Sequence, residues 1–407
     1  MSSISDMESR RREIVDAIEA EDPRFFTYGR LQFSSVEALR AALRPEEAVF
    51  AAALLDSSLF FAYIDGNSAK LGRVADVDPE DVSSKVADYR AAMVLSTELK
   101  PVPVGLGYDI YKMLFGKLST ELGRVRHLTV VASGALEAVP FSALVTALPA
   151  QPSMTAAELV DASPDWLIEK MDIAVVPSLA SMPILRRDVA ASKASQAFFG
   201  VGNPSYAAPL SPLPETAAEV RFIAALLGAN PKNDLLLAEQ ATKGALLEAP
   251  LSDYRILAFA THGFLAGGVP QLTEPALAMS AAPGNDPLRS YLTASDVATL
   301  RLDSDIVLLS ACSTAGSDGT PGADGLSGFA NAFFFAGARN LVVTHWTIPS
   351  GPAIALSTGM IEHHSQNPGS TWSQSLRAAV LSMIKKPKSA LDAHPVSWAG
   401  HFVVGAT

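Results

Sequence analysis

Short apolar runs bounded by turn residues alternate along this chain with segments of helical period. The stretch "EAVFAAALLDSSLFFAYIDGNSAKLGRV" (47–74) reads as two or three strands, with turns at Asp56–Ser58 and Asp65–Gly66. Helical periodicity follows over about 81–98 and 105–122, then the apolar runs "HLTVVAS" (127–133) and "MDIAVVPS" (171–178) predict buried strands. From residue 194 the pattern becomes more regular. Strands are expected at "SQAFFGVGNP", 233–237, "RILAFA" (255–260), "DIVLLSA" (305–311), "NLVVTHW" (340–346) and "HFVVG" (401–405). Helices are expected at 214–229, 242–249, 293–300, 326–337, 352–366 and 372–386. Strands this uniformly apolar fit a parallel sheet covered on both faces. A further amphipathic helix is expected over 5–21, and "APLSPLPE" (208–215) reads as an exposed, cleavable connection.

The reading is an α/β protein in three parts: a helical segment over 1–29, an α/β half over 30–192 and a second α/β half over 193–407. The 407-residue length suits two such units. A net charge of −11 argues against direct nucleic-acid binding, which needs clustered Lys and Arg. The single cysteine, Cys312, excludes internal disulfides and Cys-rich zinc sites and suits a reducing cytoplasm. The amino terminus lacks the apolar core of a signal peptide, and no run of about 18 apolar residues predicts a membrane span. No cofactor or metal motif is found: "GVG" (200–202) is not a full dinucleotide fingerprint, and the pair His363–His364 reads as a solvated helix face.

In open α/β sheets, sites form beyond the carboxyl ends of strands. Two ends carry chemistry: "RILAFATHGF" ends at His262–Gly263, and "DIVLLSACSTAG" ends at Cys312. On parallel neighbouring strands they would share one rim, where an imidazole makes a thiol available as thiolate. Their separation is the roughly 50 residues general for the His and Cys of caspases. Gly263 would let its backbone N–H approach a substrate carbonyl, with the Cys312 N–H as second oxyanion donor. Taken singly, a lone cysteine after an apolar strand is a small buried hydrophobe and a lone histidine is structural; it is the pairing that points to catalysis. The glycine-rich run 316–328 fits a substrate-facing loop. Within it, Asp318 and Asp324 are candidate partners for a basic side chain, and Asp324 equally suits an N-cap for the following helix. His345 is either a core histidine or a site-lining one. Ser310 is a weaker nucleophile candidate, since no G-x-S-x-G elbow surrounds it.

"FATHGF", with "LLSACSTAGSDGTPGADGLSGFANAFFFAGARNLVVTHW", resembles the CHAT family of caspase-like and separase-like cysteine peptidases, often joined to tetratricopeptide repeats. The blocks "LTVVASGALEAVPFSAL", "LPETAAEVRFIAALLG" and "HPVSWAGHFVVGA" extend the resemblance to roughly 30–406. It implies a three-layer αβα caspase-like fold with a mostly parallel central sheet, preceded by a pseudo-caspase-like half without a dyad. It also implies His262 as general base, Cys312 as nucleophile, and limited cleavage of a protein substrate after a basic P1 residue. Signalling or defence settings follow from the same resemblance, with a gasdermin or another operon-encoded protein as substrate and a second protein as activator. One departure stands out. The family carries an acid shortly after the strand's tryptophan, where this chain has "TIPSG" (347–351). That motivates the rival reading, a catalytically silent interaction scaffold.

Overall fold

The structure is a computed structural model and describes residues 35–180, 191–206, 209–281, 287–310 and 326–405, with isolated positions 10, 13, 182 and 186. The helix expected over 5–21 and most of the glycine-rich run therefore lie outside the described residues. Fourteen strands are described: β1 (Glu47–Leu55), β2 (Ser58–Asp65), β3 (Ala69–Ala75), β4 (His127–Ala132), β5 (Asp172–Val175), β6 (Gln196–Pro204), β7 (Leu235–Ala238), β8 (Tyr254–Ala260), β9 (Gly263–Phe264), β10 (Ala276–Ala278), β11 (Tyr291–Thr293), β12 (Ile306–Leu309), β13 (Leu341–Thr344) and β14 (His401–Val404). Eleven of them form one sheet in the order β3-β2-β1-β4-β5-β14-β13-β12-β8-β6-β7. β9–β11 form a separate antiparallel sheet that the sequence pattern did not announce.

The large sheet contains two parallel blocks. β1, β4, β5 and β14 run one way, and β13, β12, β8, β6 and β7 run together. The blocks meet at an antiparallel seam, where Leu341 faces Val404 and Thr344 faces His401. The carboxyl ends of the two blocks therefore lie on opposite edges. The last strand of the chain belongs to the first block.

Alternation along the central strands divides the core between the two faces. Ile256, Ala258, Ile306, Leu308 and Val342 point to one face. Leu257, Phe259, Val307, Leu309 and Val343 point to the other. Helices Pro214–Leu227, Ser350–Gln366 and Trp372–Lys385 cover the first face through Val220, Ile223, Leu356, Met360 and Leu376. Helix Leu326–Ala336 covers the second through Phe329 and Phe333. Local chemistry fixes the helix ends. Pro214 occupies the first turn and Gly228, at φ +68°, closes the same helix in the left-handed region. A Thr371–Gln374 capping box opens the helix that follows.

The seam is buried and holds two histidines. His345 is stacked on Phe402 with ring centroids 4.4 Å apart, and its carbonyl accepts from the Arg90 guanidinium at 3.0 Å. Burial pushes its imidazole down to about 3, with the Arg90 charge adding to the effect. Burial pushes His401 down to about 4. The loop before β14 is anchored by Trp398, fully buried and edge-on to Trp166 of the first half at 5.4 Å. A Cβ on Gly400 would stand 2.9 Å from the Trp346 indole, so only glycine lets the chain pass there.

Two expectations follow from the seam. Trp398→Ala leaves a cavity between the halves and should lower stability by about 3–5 kcal/mol, measured by urea unfolding; a loss under about 1 kcal/mol would show the two halves hold together without it. Stability should also fall with acid. Above pH 6.5 both histidines are neutral folded and unfolded. As pH drops below 6.5 the unfolded chain takes up protons that buried His345 and His401 refuse, until about pH 3 and about pH 4 respectively. Each unit of that separation is worth about 1.4 kcal/mol. His345→Phe should flatten the decline in unfolding midpoint between pH 6.5 and 4, and an unchanged slope would assign the acid sensitivity elsewhere.

Candidate active site

The edge reached by the carboxyl ends of β8, β12 and β13 carries His262 and Ser310. β8 delivers Thr261 and His262. Thr261 is fully buried, and its hydroxyl donates to the Ala278 carbonyl at 2.5 Å. The Tyr206 hydroxyl must then be the donor in its 2.8 Å contact with Thr261. The Tyr206 ring meets the His262 imidazole edge-on, 4.8 Å between centroids. His262 Nε2 lies 2.8 Å from the Ser211 carbonyl. A carbonyl only accepts, so Nε2 carries the proton and Nδ1 is left as the basic nitrogen. The connection 208–215, read from the sequence as a cleavable surface segment, thus supports the histidine. It is held in turn by the Leu213 N–H donating to Asn203 at 3.0 Å.

Gly263 begins the small sheet. It faces Leu277 across an antiparallel pair, and Ala278 N–H donates past it to the His262 carbonyl at 2.8 Å. Gly263 therefore occupies a non-hydrogen-bonded position of the ladder, and its own N–H is not spent on β10. That leaves a backbone donor beside the imidazole.

β12 is the parallel neighbour of β8. Ile306 faces Ile256 and Leu309 faces Phe259, an offset of 50 residues that equals the separation of Cys312 from His262. Cys312, Asp318 and Asp324 lie outside the described residues. The described end of the strand is Ser310, whose hydroxyl donates to Glu219 Oε1 at 2.7 Å.

Glu219 is the residue that sequence reasoning passed over. It sits on helix Pro214–Leu227 and is only 4% exposed. Ser357, on the facing helix Ser350–Gln366, reaches the same Oε1 at 2.9 Å. Burial pushes its carboxyl above the usual range, against the two serine contacts. The signal was positional: Thr216, Glu219, Val220, Ile223 and Ala224 share the inward stripe of this helix, so a charged residue stands at a core position.

Between these two helices and the strand ends is a recess of about 80 Å³ lined by Glu219, Ser310, Thr344, Trp346, His401 and Ile354. His401 is 5% exposed, and its Nδ1 has no hydrogen-bond partner among the described residues. Strand alternation turns His345 to the opposite face, where it lines a separate cleft with Phe402, Val175 and Glu137. His127, on the first half, is held by Asp172 at 2.5 Å. Among the described residues no group of three or more His, Cys, Asp or Glu is placed to hold a metal ion. No described helix is long and apolar enough to cross a membrane.

The fold is the caspase-like one. The yeast (Saccharomyces cerevisiae) separase–securin complex superimposes with a TM-score of 0.50 at 11% identity, covering 91% of this chain and 30% of that one. The Arg-specific cysteine proteinase gingipain R superimposes at 0.43 and 14% identity, over 80% of this chain and 74% of that one. Tetratricopeptide repeat protein 28 of Mus musculus is 27% identical over 330 residues, and so is that of Homo sapiens. The match covers 71% of this chain but only 12% of each relative. The CHAT domain model matches residues 105–406, which include the whole β8–β12–β13 rim, and the chain belongs to the CHAT domain family.

Proposed function

We propose that the protein is a cysteine endopeptidase in which His262 is the general base and Cys312 the nucleophile. The observation that carries this reading is the β8–β12 register, whose offset of 50 matches the spacing of the two residues, together with the tautomer that Ser211 imposes on His262. Nδ1 would accept the thiol proton. The thiolate sulfur would then attack the scissile carbonyl carbon, and the charge developing on its oxygen would meet the Gly263 and Cys312 N–H groups. Collapse breaks the C–N bond, the imidazolium returns its proton to the leaving amine, and a thioacyl enzyme remains for water to hydrolyse. Limited cleavage of a protein partner, in signalling or defence and under control of an activating protein, belongs to the same reading and is carried by the resemblance alone.

The test combines turnover with thiol reactivity. Cys312→Ala and His262→Ala should each lower peptide cleavage by about 10³-fold or more. In the wild type, Cys312 should react with iodoacetamide near neutral pH faster than in His262→Ala, by about tenfold or more. A wild-type thiol as inert as that of His262→Ala, with no cleavage of any peptide, would favour a silent scaffold, the reading to which the missing acid after Trp346 points.

A further inference from the structure

We infer that an apolar recess on the small sheet, beside His262, receives the side chain of the first residue after the cut bond and selects an aliphatic or aromatic one. The inference rests on the peptidase reading, because that residue is defined by the cut. The imidazolium formed at His262 gives its proton to the leaving amine, so the residue carrying that nitrogen sits against the imidazole. Tyr206 joins the two places. Its ring meets the imidazole edge-on, 4.8 Å between centroids, and also lines the recess. Ala278 makes a second link. Its N–H donates to the His262 carbonyl at 2.8 Å, and the residue belongs to the same lining.

The lining sets the class of side chain. Leu210, Val269, Met279, Leu288 and Tyr291 surround a volume of about 270 Å³. Among the described residues that line it, none is Asp, Glu, Lys, Arg or His. A charged side chain entering there would lose hydration without gaining a partner. A cavity of about 150 Å³ holds benzene, so a leucine, methionine or phenylalanine side chain fits. The apolar character originates in the small sheet, where Leu272, Ala276, Ala278 and Tyr291 form a buried cluster. Tyr206, Leu210, Val269 and Leu288 pack around that cluster and are only partly buried. Apolar surface is therefore left for a further side chain to cover.

Hydrogen bonds fix the walls before any substrate arrives. The Ser205 N–H donates to Ser280 Oγ at 2.9 Å and the Ala281 N–H to the Ser205 carbonyl at 3.1 Å, which pins the segment carrying Tyr206 just past β10. The Tyr206 hydroxyl is spent on Thr261, so its polar end is turned to β8 and its ring is the wall shared with His262. On the other side, the Gly267 N–H donates to the Leu272 carbonyl at 2.7 Å and the Leu272 N–H to the Val269 carbonyl at 3.0 Å. Those two bonds close the turn that presents Val269. Walls ordered in advance lower the entropy lost on binding.

The experiment uses internally quenched peptides with a randomised segment before the cut and Leu, Phe, Gly or Asp directly after it, the cut site being read by mass spectrometry. Rates are compared at low concentration, where they follow kcat/KM. Wild type should favour Leu and Phe over Gly and Asp by about tenfold or more. Val269→Asp puts a carboxylate on the wall and should lower the Leu-to-Gly ratio by about tenfold. A wild type indifferent to this residue or preferring Gly or Asp, or a Leu-to-Gly ratio unchanged in Val269→Asp, overturns the inference while leaving the peptidase reading intact. Should no peptide be cut, the peptidase reading fails, and the recess is tested by calorimetry with N-acetylphenylalaninamide against N-acetylglycinamide. Binding of the first alone, lost in Val269→Asp, supports an apolar side-chain site; equal binding, no binding, or binding that survives the substitution overturns it. If Val269→Asp does not fold, Leu288→Asp on the same lining replaces it. The ratio or the binding should fall in the same way, and no change in either overturns the inference.

Discussion

The structure depends on the pairing of β13 with β14. β14 is the last strand in the sequence, yet it lies in the middle of the sheet, parallel to β5 and antiparallel to β13. Among the described residues, its pairing with β13 is the one ladder connecting the two parallel blocks. Because the blocks oppose each other, the carboxyl ends that build the rim on the second half stand beside the amino ends of β14, β5 and β4. That arrangement brings His401, at the start of β14, into the same recess as Ser310, at the end of β12. It also fixes Trp346, whose indole N–H donates to the Val396 carbonyl at 3.0 Å and packs where Gly400 leaves room. A seam that joins the two parallel blocks thus supplies one wall of that recess.

Much of this was legible in the sequence, and the reason is burial. Strands covered on both faces read as unbroken apolar runs, and the described strands of the large sheet fall within three residues of those runs. The helices are legible because each carries a period and end signals, such as Pro214 with Gly228 or Thr371 with Gln374. Sheet order is a different matter. Nothing local in "HFVVG" says that it inserts beside a strand more than two hundred residues earlier, since pairing partners are chosen by tertiary packing rather than by periodicity. β9, β10 and β11 escaped because two or three residues are too few for an alternation to register.

The site divides along the same line. His262 was legible through its glycine neighbour and its place after an apolar strand. The Ser211 carbonyl that sets its tautomer was not, because a backbone acceptor has no sequence signature and the segment around it looks like surface. Glu219 was hidden for another reason: on a helix with an acidic first turn, one more glutamate reads as solvated. Only its phase with Thr216, Val220 and Ile223 betrays burial.

That hidden acid changes how the chain's departure from its family pattern is understood. The resemblance leads one to expect a carboxylate after the strand's tryptophan; this chain places a carboxyl on the preceding helix instead, under the end of β12, where burial pushes it toward its neutral form. Trp346 and Glu219 line the same recess, so an acid on either element faces the same volume. The helix position is the more demanding one. Glu219 has to be desolvated and held by Ser310 and Ser357, and a desolvated carboxyl interacts more strongly with a cation than an exposed one does. The recess thus keeps a carboxyl on its helix wall although "TIPSG" supplies none.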